Sequence, residues 1–320
     1  MDFIVKRLAA ALATLLLVSL LTFAAFALIP GDAAALILGV EATEAQLAAL
    51  RAEMGLDKNF VLRYGSWLAD FFTGNLGNSA RFRGESIAGL IGERLPVTAA
   101  LAFLSLALIL LLSIPTALFA AGRERARSGR LVNTLTMITI SFPNFFLGML
   151  LIWVFGVLLK LFAPGAYIPP EENLAGFWVY LFFPALAIAL PNAAIVIKFL
   201  RTSILQQLRL DYVRTAYSKG ASRSLALYRH ALRNAVIPAV TLLGMIIAEI
   251  FSGSIIIEQV FTIPGIGRLL IAAIRSRDYP LTQTLTVYIA AVVILANTLV
   301  DIAIQLIDPR IRLSIQVGNR

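Results

Sequence analysis

Six stretches of this chain, 8–29, 97–121, 132–161, 177–200, 235–257 and 281–307, are apolar almost throughout, and each is long enough to cross a bilayer as a helix. A hydrocarbon core about 30 Å thick takes about 20 helical residues. In lipid every backbone polar group must pair within the protein, which leaves helices or closed barrels. The runs are continuous and do not alternate in polarity, so they predict helices. The expected fold class is therefore all-α, a polytopic membrane protein of about six transmembrane helices. Composition agrees: 59% of the 320 residues are hydrophobic and 14% are charged, where a soluble domain carries about 25% charged.

The charges between the stretches are sorted. Seventeen of the 27 Lys and Arg residues fall in one set of loops beside only four acids, and the other ten fall with twelve acids. Basic loops stay in the cytoplasm. Both termini are thus expected inside and 30–96 outside. The first apolar run, of about 22 residues, exceeds the roughly 7–15 of a signal-peptide core, so a retained first helix over 1–29 is expected. The remaining organisation follows: an extracytoplasmic loop domain 30–96, a five-helix core 97–307 containing a cytoplasmic loop 201–234, and a tail 308–320. The net charge of +9 reads as topology, not as nucleic-acid binding. The absence of cysteine excludes disulfides, thiolate metal sites and cysteine nucleophiles, and a lone histidine leaves no basis for a metal centre.

The loops carry more specific signals. Thr43-Glu-Ala-Gln46 reads as a capping box, with Gly55 as the stop of the helix it opens. A second outer helix is expected over 59–72, with Phe60, Tyr64, Trp67, Leu68 and Phe71 on one stripe, and Gly74-Asn-Leu-Gly77 as a turn. The aromatics suit a helix lying at the bilayer interface, or else a cover over a path or a platform for a partner. The loop 201–234 is too long for a bare connection. Its composition predicts one helix over 205–218, a break at Gly220 and a second helix over 223–233. Leu208, Leu210, Tyr212, Val213, Ala216 and Tyr217 give it an apolar face that belongs to no span. Such a face meets another protein or the membrane surface, and a protein partner is favoured here.

This loop is where a family resemblance enters. Asp211-Tyr-Val-Arg-Thr-Ala-Tyr-Ser-Lys-Gly220 and His230-Ala-Leu-Arg-Asn-Ala-Val-Ile-Pro238 resemble the coupling loop of permeases in the dipeptide/oligopeptide/nickel family of ABC importers. Met54-Gly-Leu-Asp-Lys58, Arg63-Tyr-Gly-Ser-Trp67 and Gly74-Asn-Leu-Gly-Asn-Ser79 resemble that family's first outer loop, whose length is similar to the B-type half of the permease pair. Ser141-Phe-Pro-Asn-Phe145 resembles its third-span motif, Glu258-Gln-Val-Phe-Thr-Ile-Pro-Gly-Ile-Gly267 the loop before the last span, and Asp308-Pro-Arg-Ile-Arg312 its C-terminal signature. Two positions depart from the pattern. Arg214-Thr-Ala216 stands where the broader importer motif has Glu-Ala-Ala, and Asn75 follows Gly74 where the family often has Asp; no acid role is carried over to either.

The resemblance implies a multi-pass inner-membrane subunit that shares a central path with a sister permease. It also implies two ABC ATPase subunits holding ATP and Mg, an extracytoplasmic solute-binding protein, and import of di- or oligopeptides or a related small solute such as a nickel chelate. No cofactor is expected in this chain. The residues agree that it is no ATPase: a Walker cradle needs Gly-Lys-Ser/Thr, and no Gly-Lys pair occurs. By resemblance the ATPase-coupling residues are Asp211, Tyr212, Arg214, Thr215, Ala216, Tyr217, Lys219, Gly220, His230, Arg233 and Asn234. Arg214 and Lys219 would pair with partner acids, Tyr212, Ala216 and Tyr217 would pack, and Gly220 would set the lever angle. Histidine is the side chain whose charge changes near neutral pH, so His230 reads either as a pH switch or, preferably, as a helix-end residue bonded to a neighbour. Glu258, Phe261, Pro264, Gly265 and Gly267 are candidates for an outer gate or mouth. Glu249 and Asp301 lie inside spans, where acids are candidates for function. Glu249 suits contact with a cationic part of the substrate or with a polar neighbour, and Asp301 reads mainly as structural. Pro115, Pro143, Pro184 and Pro191 are candidate kinks. A secondary transporter should show more intramembrane acids and an internal repeat, and a membrane enzyme should show converging nucleophiles or bases; this chain offers neither.

Overall fold

A computed structural model of the chain describes residues 2–28, 42–53, 57, 59–82 and 85–307. The tail with its Asp308-Pro-Arg-Ile-Arg312 motif lies outside them, as do Gly55 and most of Met54–Lys58. Internal packing divides the chain into two units, Met1–Thr98 with Pro264–Leu295, and Ala99–Ile263 with Ala296–Arg320. The described elements are helical: α1 (Asp2–Ala27), α2 (Glu44–Glu53), α3 (Phe60–Thr73), α4 (Ile87–Gly122), α5 (Arg127–Ile140), α6 (Asn144–Leu151, prolonged by a π-helical stretch Ile152–Leu158), α7 (Leu174–Leu208), α8 (Asp211–Ser218), α9 (Leu232–Val260), α10 (Ile266–Arg275) and α11 (Tyr279–Ile307). Five helices contain an apolar segment long enough to span a bilayer: Ile4–Ala27, Ile87–Gly122, Leu174–Leu208, Leu242–Val260 and Tyr279–Ile302.

The sixth expected span is not one straight helix. α5 and the helix running from Asn144 to Leu158 meet at 103°. Pro143 is the cause: it has no N–H to continue the ladder, and it disfavours helical geometry in Phe142 before it. Ser141 closes α5 instead, its N–H reaching the Ile138 carbonyl at 3.1 Å and its hydroxyl the Met137 carbonyl at 3.1 Å. The other prolines behave differently. Pro115 stays within α4, and Pro184 and Pro191 within α7.

In the first unit, the outer segment folds by local rules. Thr43 and Gln46 form the reciprocal capping box: the Gln46 N–H donates to Thr43 Oγ1 at 3.3 Å, and the Thr43 N–H to Gln46 Oε1 at 2.9 Å. Asn59 caps α3 by accepting from the Leu62 N–H at 2.9 Å, and Gly74, at φ +81°, closes it in the left-handed conformation. The aromatic stripe of α3 seats on α1. The Phe23 ring meets Phe60 at 5.3 Å, Tyr64 at 5.4 Å and Trp67 at 5.8 Å, with the Arg63 guanidinium 5.2 Å from its centroid. The Tyr64 and Ser19 hydroxyls pair at 2.8 Å. Aromatic pairs of this kind add about 0.5–1.5 kcal/mol each beyond the area they bury.

α4 begins ten residues before the expected span at Val97, because Ser86 caps it by accepting from the Gly89 N–H at 3.1 Å. Ile87, Leu90 and Ile91 on that added turn are buried with Ile266, Leu269 and Ala273 of α10 and Leu281 and Leu285 of α11. At the start of α11 the buried Asp278 carboxylate accepts from Ser79 Oγ at 2.5 Å, the Arg81 N–H at 3.1 Å and the Leu281 N–H at 3.1 Å. It caps the helix and ties down the outer segment in one stroke.

In the second unit, α7 is the central helix, packed by α5, α6 and α9. Ala117, Leu118 and Ala121 of α4, Ile197, Leu200 and Ile204 of α7, and Ala231, Ala235 and Ala239 around the start of α9 form its core. Small residues let the helices approach closely, as membrane bundles require. Tyr180 ties the other end, its hydroxyl donating to the Phe261 carbonyl at 2.5 Å and accepting from the Gly165 N–H at 3.2 Å.

Candidate functional site

The loop after α7 is helical, with boundaries that differ from expectation. α7 runs on to Leu208, the chain extends at Leu210 (φ −79°, ψ 152°), and α8 restarts at Asp211. Asp211 is an acid in a first turn, where the helix dipole favours it. α8 ends in a Schellman motif: the Ala221 N–H bonds the Ala216 carbonyl at 3.0 Å and the Gly220 N–H bonds the Tyr217 carbonyl at 2.9 Å. The motif needs a left-handed residue, and Gly220 supplies it at φ +86°. Ser222 caps the next turn by accepting from the Leu225 N–H at 3.2 Å. Arg223–Leu225 and the π-helical turn Ala226–Ala231 then lead straight into α9. The separate second helix expected over 223–233 is thus the leading end of one helix that continues to Val260.

α8 stands on two anchors. Val213 is fully buried, the only side chain of α8 that is. The Tyr212 hydroxyl is the second: it donates toward Gln207 Oε1 at 2.9 Å, lies 3.4 Å from the His230 carbonyl and accepts from Asn234 Nδ2 at 3.1 Å. One phenol thereby joins the end of α7, the start of α8 and the first turns of α9. Ser203 Oγ, buried below, donates to the Ala235 carbonyl at 3.2 Å and fixes α7 to α9 independently.

The rest of α8 faces outward. Arg214, Thr215, Tyr217, Lys219 and Gly220 are exposed and Ala216 half-buried. Arg214 pairs with Asp211 at 3.4 Å, but both side chains are largely in solvent (75% and 93% exposed), so the pair contributes little and leaves the guanidinium available. Arg233 is exposed and His230 half-buried, contributing its backbone carbonyl to the Tyr212 network. The outcome is a short helix held rigidly from beneath, presenting aromatic and cationic groups outward. It holds no arrangement for bond-making chemistry.

The other candidates are dispersed. Glu249 is exposed in mid-α9, and Asp301 half-buried in α11. Glu258 and Phe261 are buried in the second unit. Pro264, Gly265 and Gly267 belong to the first unit, where they lead into α10, with both glycines buried. Between the two sets, Thr262 adopts φ +61°, a left-handed conformation rare for a β-branched residue. Farther from these, burial first and then Glu171 pushes the Tyr167 phenol up from its ordinary value.

Sequence reasoning passed over Gln207, Asp278 and Tyr180. Asp278 had a readable signal, an Asp two residues before Pro280 ahead of an apolar run, which is a helix-start pattern. Gln207 and Tyr180 carry no such signal, since their partners lie in other helices.

Residues 113–313 match the family described as binding-protein-dependent transport system inner membrane component, and residues 1–102 match that family's N-terminal region. Among similar proteins, a probable peptide ABC transporter permease of Sinorhizobium fredii is 36% identical over 310 residues, covering 97% of this chain and 99% of that protein. A putative peptide permease of Brucella ovis is 37% identical over 312 residues, covering 96% and 98%. An oligopeptide transport system permease of Bacillus subtilis is 32% identical over 311 residues, covering 97% and 98%. With both regions matched in order on a chain of long apolar helices, this protein belongs to the family of membrane-spanning components of binding-protein-dependent transport systems, the permeases of ABC transporters.

Proposed function

We propose that this chain is the B-type permease half of an ATP-driven importer of di- or oligopeptides in the cytoplasmic membrane. Its partners in this reading are a sister permease, two ABC ATPase subunits that bind ATP and Mg, and an extracytoplasmic solute-binding protein. Both termini and α8 face the cytoplasm, as the basic loops argue. α8 is the grip for the ATPase: Tyr217 and the exposed edge of Ala216 pack into it, and Arg214 and Lys219 meet its acids. Asp211, Thr215, Gly220, His230, Arg233 and Asn234 hold that grip in shape.

The observation that carries this reading is the anchoring of α8. A solvated topogenic loop needs neither a buried Val213 nor a tyrosine bonded to two neighbouring helices. Peptide as the cargo rests on the names of the similar permeases. The test is co-purification of this chain with its ATPases, followed by ATP hydrolysis with and without binding protein loaded with peptide. Stimulation by the loaded binding protein, abolished when α8 is cross-linked to the permease core, supports the reading. Uptake by this chain alone, driven by an ion gradient, overturns it, and stimulation only by a loaded metal chelate replaces the cargo.

A further inference from the structure

Glu249 sits inside the apolar segment Leu242–Val260, yet its side chain is exposed on this chain. It shares a stripe of α9 with Met245, 70% exposed, Ser252, and Ile256, 52% exposed, at helical spacings of −4, +3 and +7. Ile246, Ile250 and Ile257 of the same helix are buried. A carboxylate facing lipid at this depth is costly, so it must meet water or protein. Neither α9 around it nor the α5–α6 segment offers a counter-charge: no Lys, Arg or His occurs between Arg233 and Arg268, nor between Arg130 and Lys160. Among the described residues no ion pair or hydrogen bond to Glu249 is present.

A second, independent feature lies beside it. The break between α5 and α6 exposes Ser141, Phe142 and Pro143 inside an apolar stretch. Irregular backbone within a membrane persists only where protein buries it or where it lines a water-filled cavity. The break abuts the Glu249 stripe through Gly253, where an added Cβ would lie 3.0 Å from Asn144 Nδ2. Gly253 is one turn beyond Glu249 and adjacent to Ser252, so carboxylate, hydroxyl and carboxamide groups gather on one side of the second unit.

We propose that this patch lines the translocation path and that Glu249 receives the ammonium group of the travelling peptide. The inference rests on the importer reading above and deepens it. A carboxylate beside a hydroxyl, with no cation along either adjoining segment, selects a positively charged donor. A peptide's free amino terminus carries that charge whatever its side chains, which suits a path that passes many sequences.

The chain contains no cysteine, so Ser252→Cys introduces a single reporter. In the assembled transporter in proteoliposomes, with the complex carrying the unchanged, cysteine-free chain as the control for background labelling and, by its uptake, for the importer reading, the introduced cysteine is titrated with methanethiosulfonates bearing a trimethylammonium or a sulfonate. The cationic reagent is expected to react about tenfold faster relative to the anionic one than it does with Glu249→Gln also present. A free-amine tripeptide should slow it, and the N-acetylated tripeptide should not. An unreactive cysteine in a complex that still co-purifies means that the sister permease covers Glu249, and overturns the proposal, as does reactivity indifferent to reagent charge. If Ser252→Cys fails to assemble, Ile256→Cys is read the same way. Loss of uptake in the cysteine-free control counts against the importer reading instead.

Discussion

Asn234 Nδ2 donates to the Tyr212 hydroxyl at 3.1 Å, joining two residues 22 positions apart in the chain. The same hydroxyl holds Gln207 at 2.9 Å, so the phenol is the knot between α7, α8 and α9. Replacing Tyr212 by Phe keeps the ring and removes the knot. Loss of one to two net hydrogen bonds is worth about 1–2 kcal/mol. The amides of Asp211–Ser218 should then exchange about 5–30-fold faster with solvent, while insertion and ATPase association persist. Stimulation of ATP hydrolysis by the loaded binding protein should fall. Unchanged exchange in Tyr212→Phe would show that Val213 alone seats the helix.

Gly220 separates conformation from space. A Cβ there meets nothing within 4 Å, but the backbone is left-handed at φ +86°. An ordinary L-residue in that region costs about 1–2 kcal/mol, Asn less and β-branched residues more. Gly220→Val should uncouple ATP hydrolysis from the binding protein without preventing insertion, and Gly220→Asn should retain most coupling. Equal loss in both variants would point to a contact with the partner in place of the backbone angle.

Asp278 gathers three donors from two parts of the first unit. Asp278→Ala leaves the buried Ser79 hydroxyl and two amides without their acceptor and removes the cap of α11, at a cost of about 2–4 kcal/mol. Thermal unfolding in detergent should shift down by about 5–10 °C. Ser79→Ala should cost clearly less, because it leaves the cap of α11 in place.

Gly129 is a purely steric case. A Cβ at that position would fall 2.1 Å from the Arg123 carbonyl oxygen, a backbone atom with no rotamer to turn away. Gly129→Ala should therefore disrupt the turn between α4 and α5 and lower the yield of folded protein in detergent. Gly65→Ala, where a Cβ meets nothing within 4 Å, is the control and should express normally.

The apolar runs and the local punctuation were legible because both are written in neighbouring residues. The Thr43–Gln46 box and the Gly74 and Gly220 turns lie where their residue types predicted, and α3 starts where the expected helix 59–72 does. The 103° bend was only half legible: Pro143 stood out, but Pro115, Pro184 and Pro191 are the same residue type and sit within continuous helices. Even the Ser141-Phe-Pro143 spacing is repeated at Ser113-Ile-Pro115 inside α4, so the bend shows only in the structure, where Ser141 closes α5. Of the site, the outward residues of α8 were readable as an apolar and basic face, whereas the Gln207–Tyr212–Asn234 knot was not. Its members are polar residues whose spacing means nothing until α7 and α9 are laid side by side. Asp278 lies in a readable helix-start pattern, but its bonds to Ser79 and Arg81, some 200 positions away, are not written in its neighbours.

The stretch from Arg223 through the π-helical turn to Val260 is one unbroken helix of 38 residues, about 57 Å from tip to tip. Its irregular points, the π-helical turn Ala226–Ala231 and Pro238, both fall within its first 16 residues, so the stretch beyond them transmits tilt as one piece. A push on the Arg223 end that these points pass on reappears as a swing at the Val260 end, in the opposite direction if the α7 contact at Ser203 and Ala235 serves as the fulcrum. The contact sits near the pushed end, so the short arm takes the force and the long arm multiplies the travel.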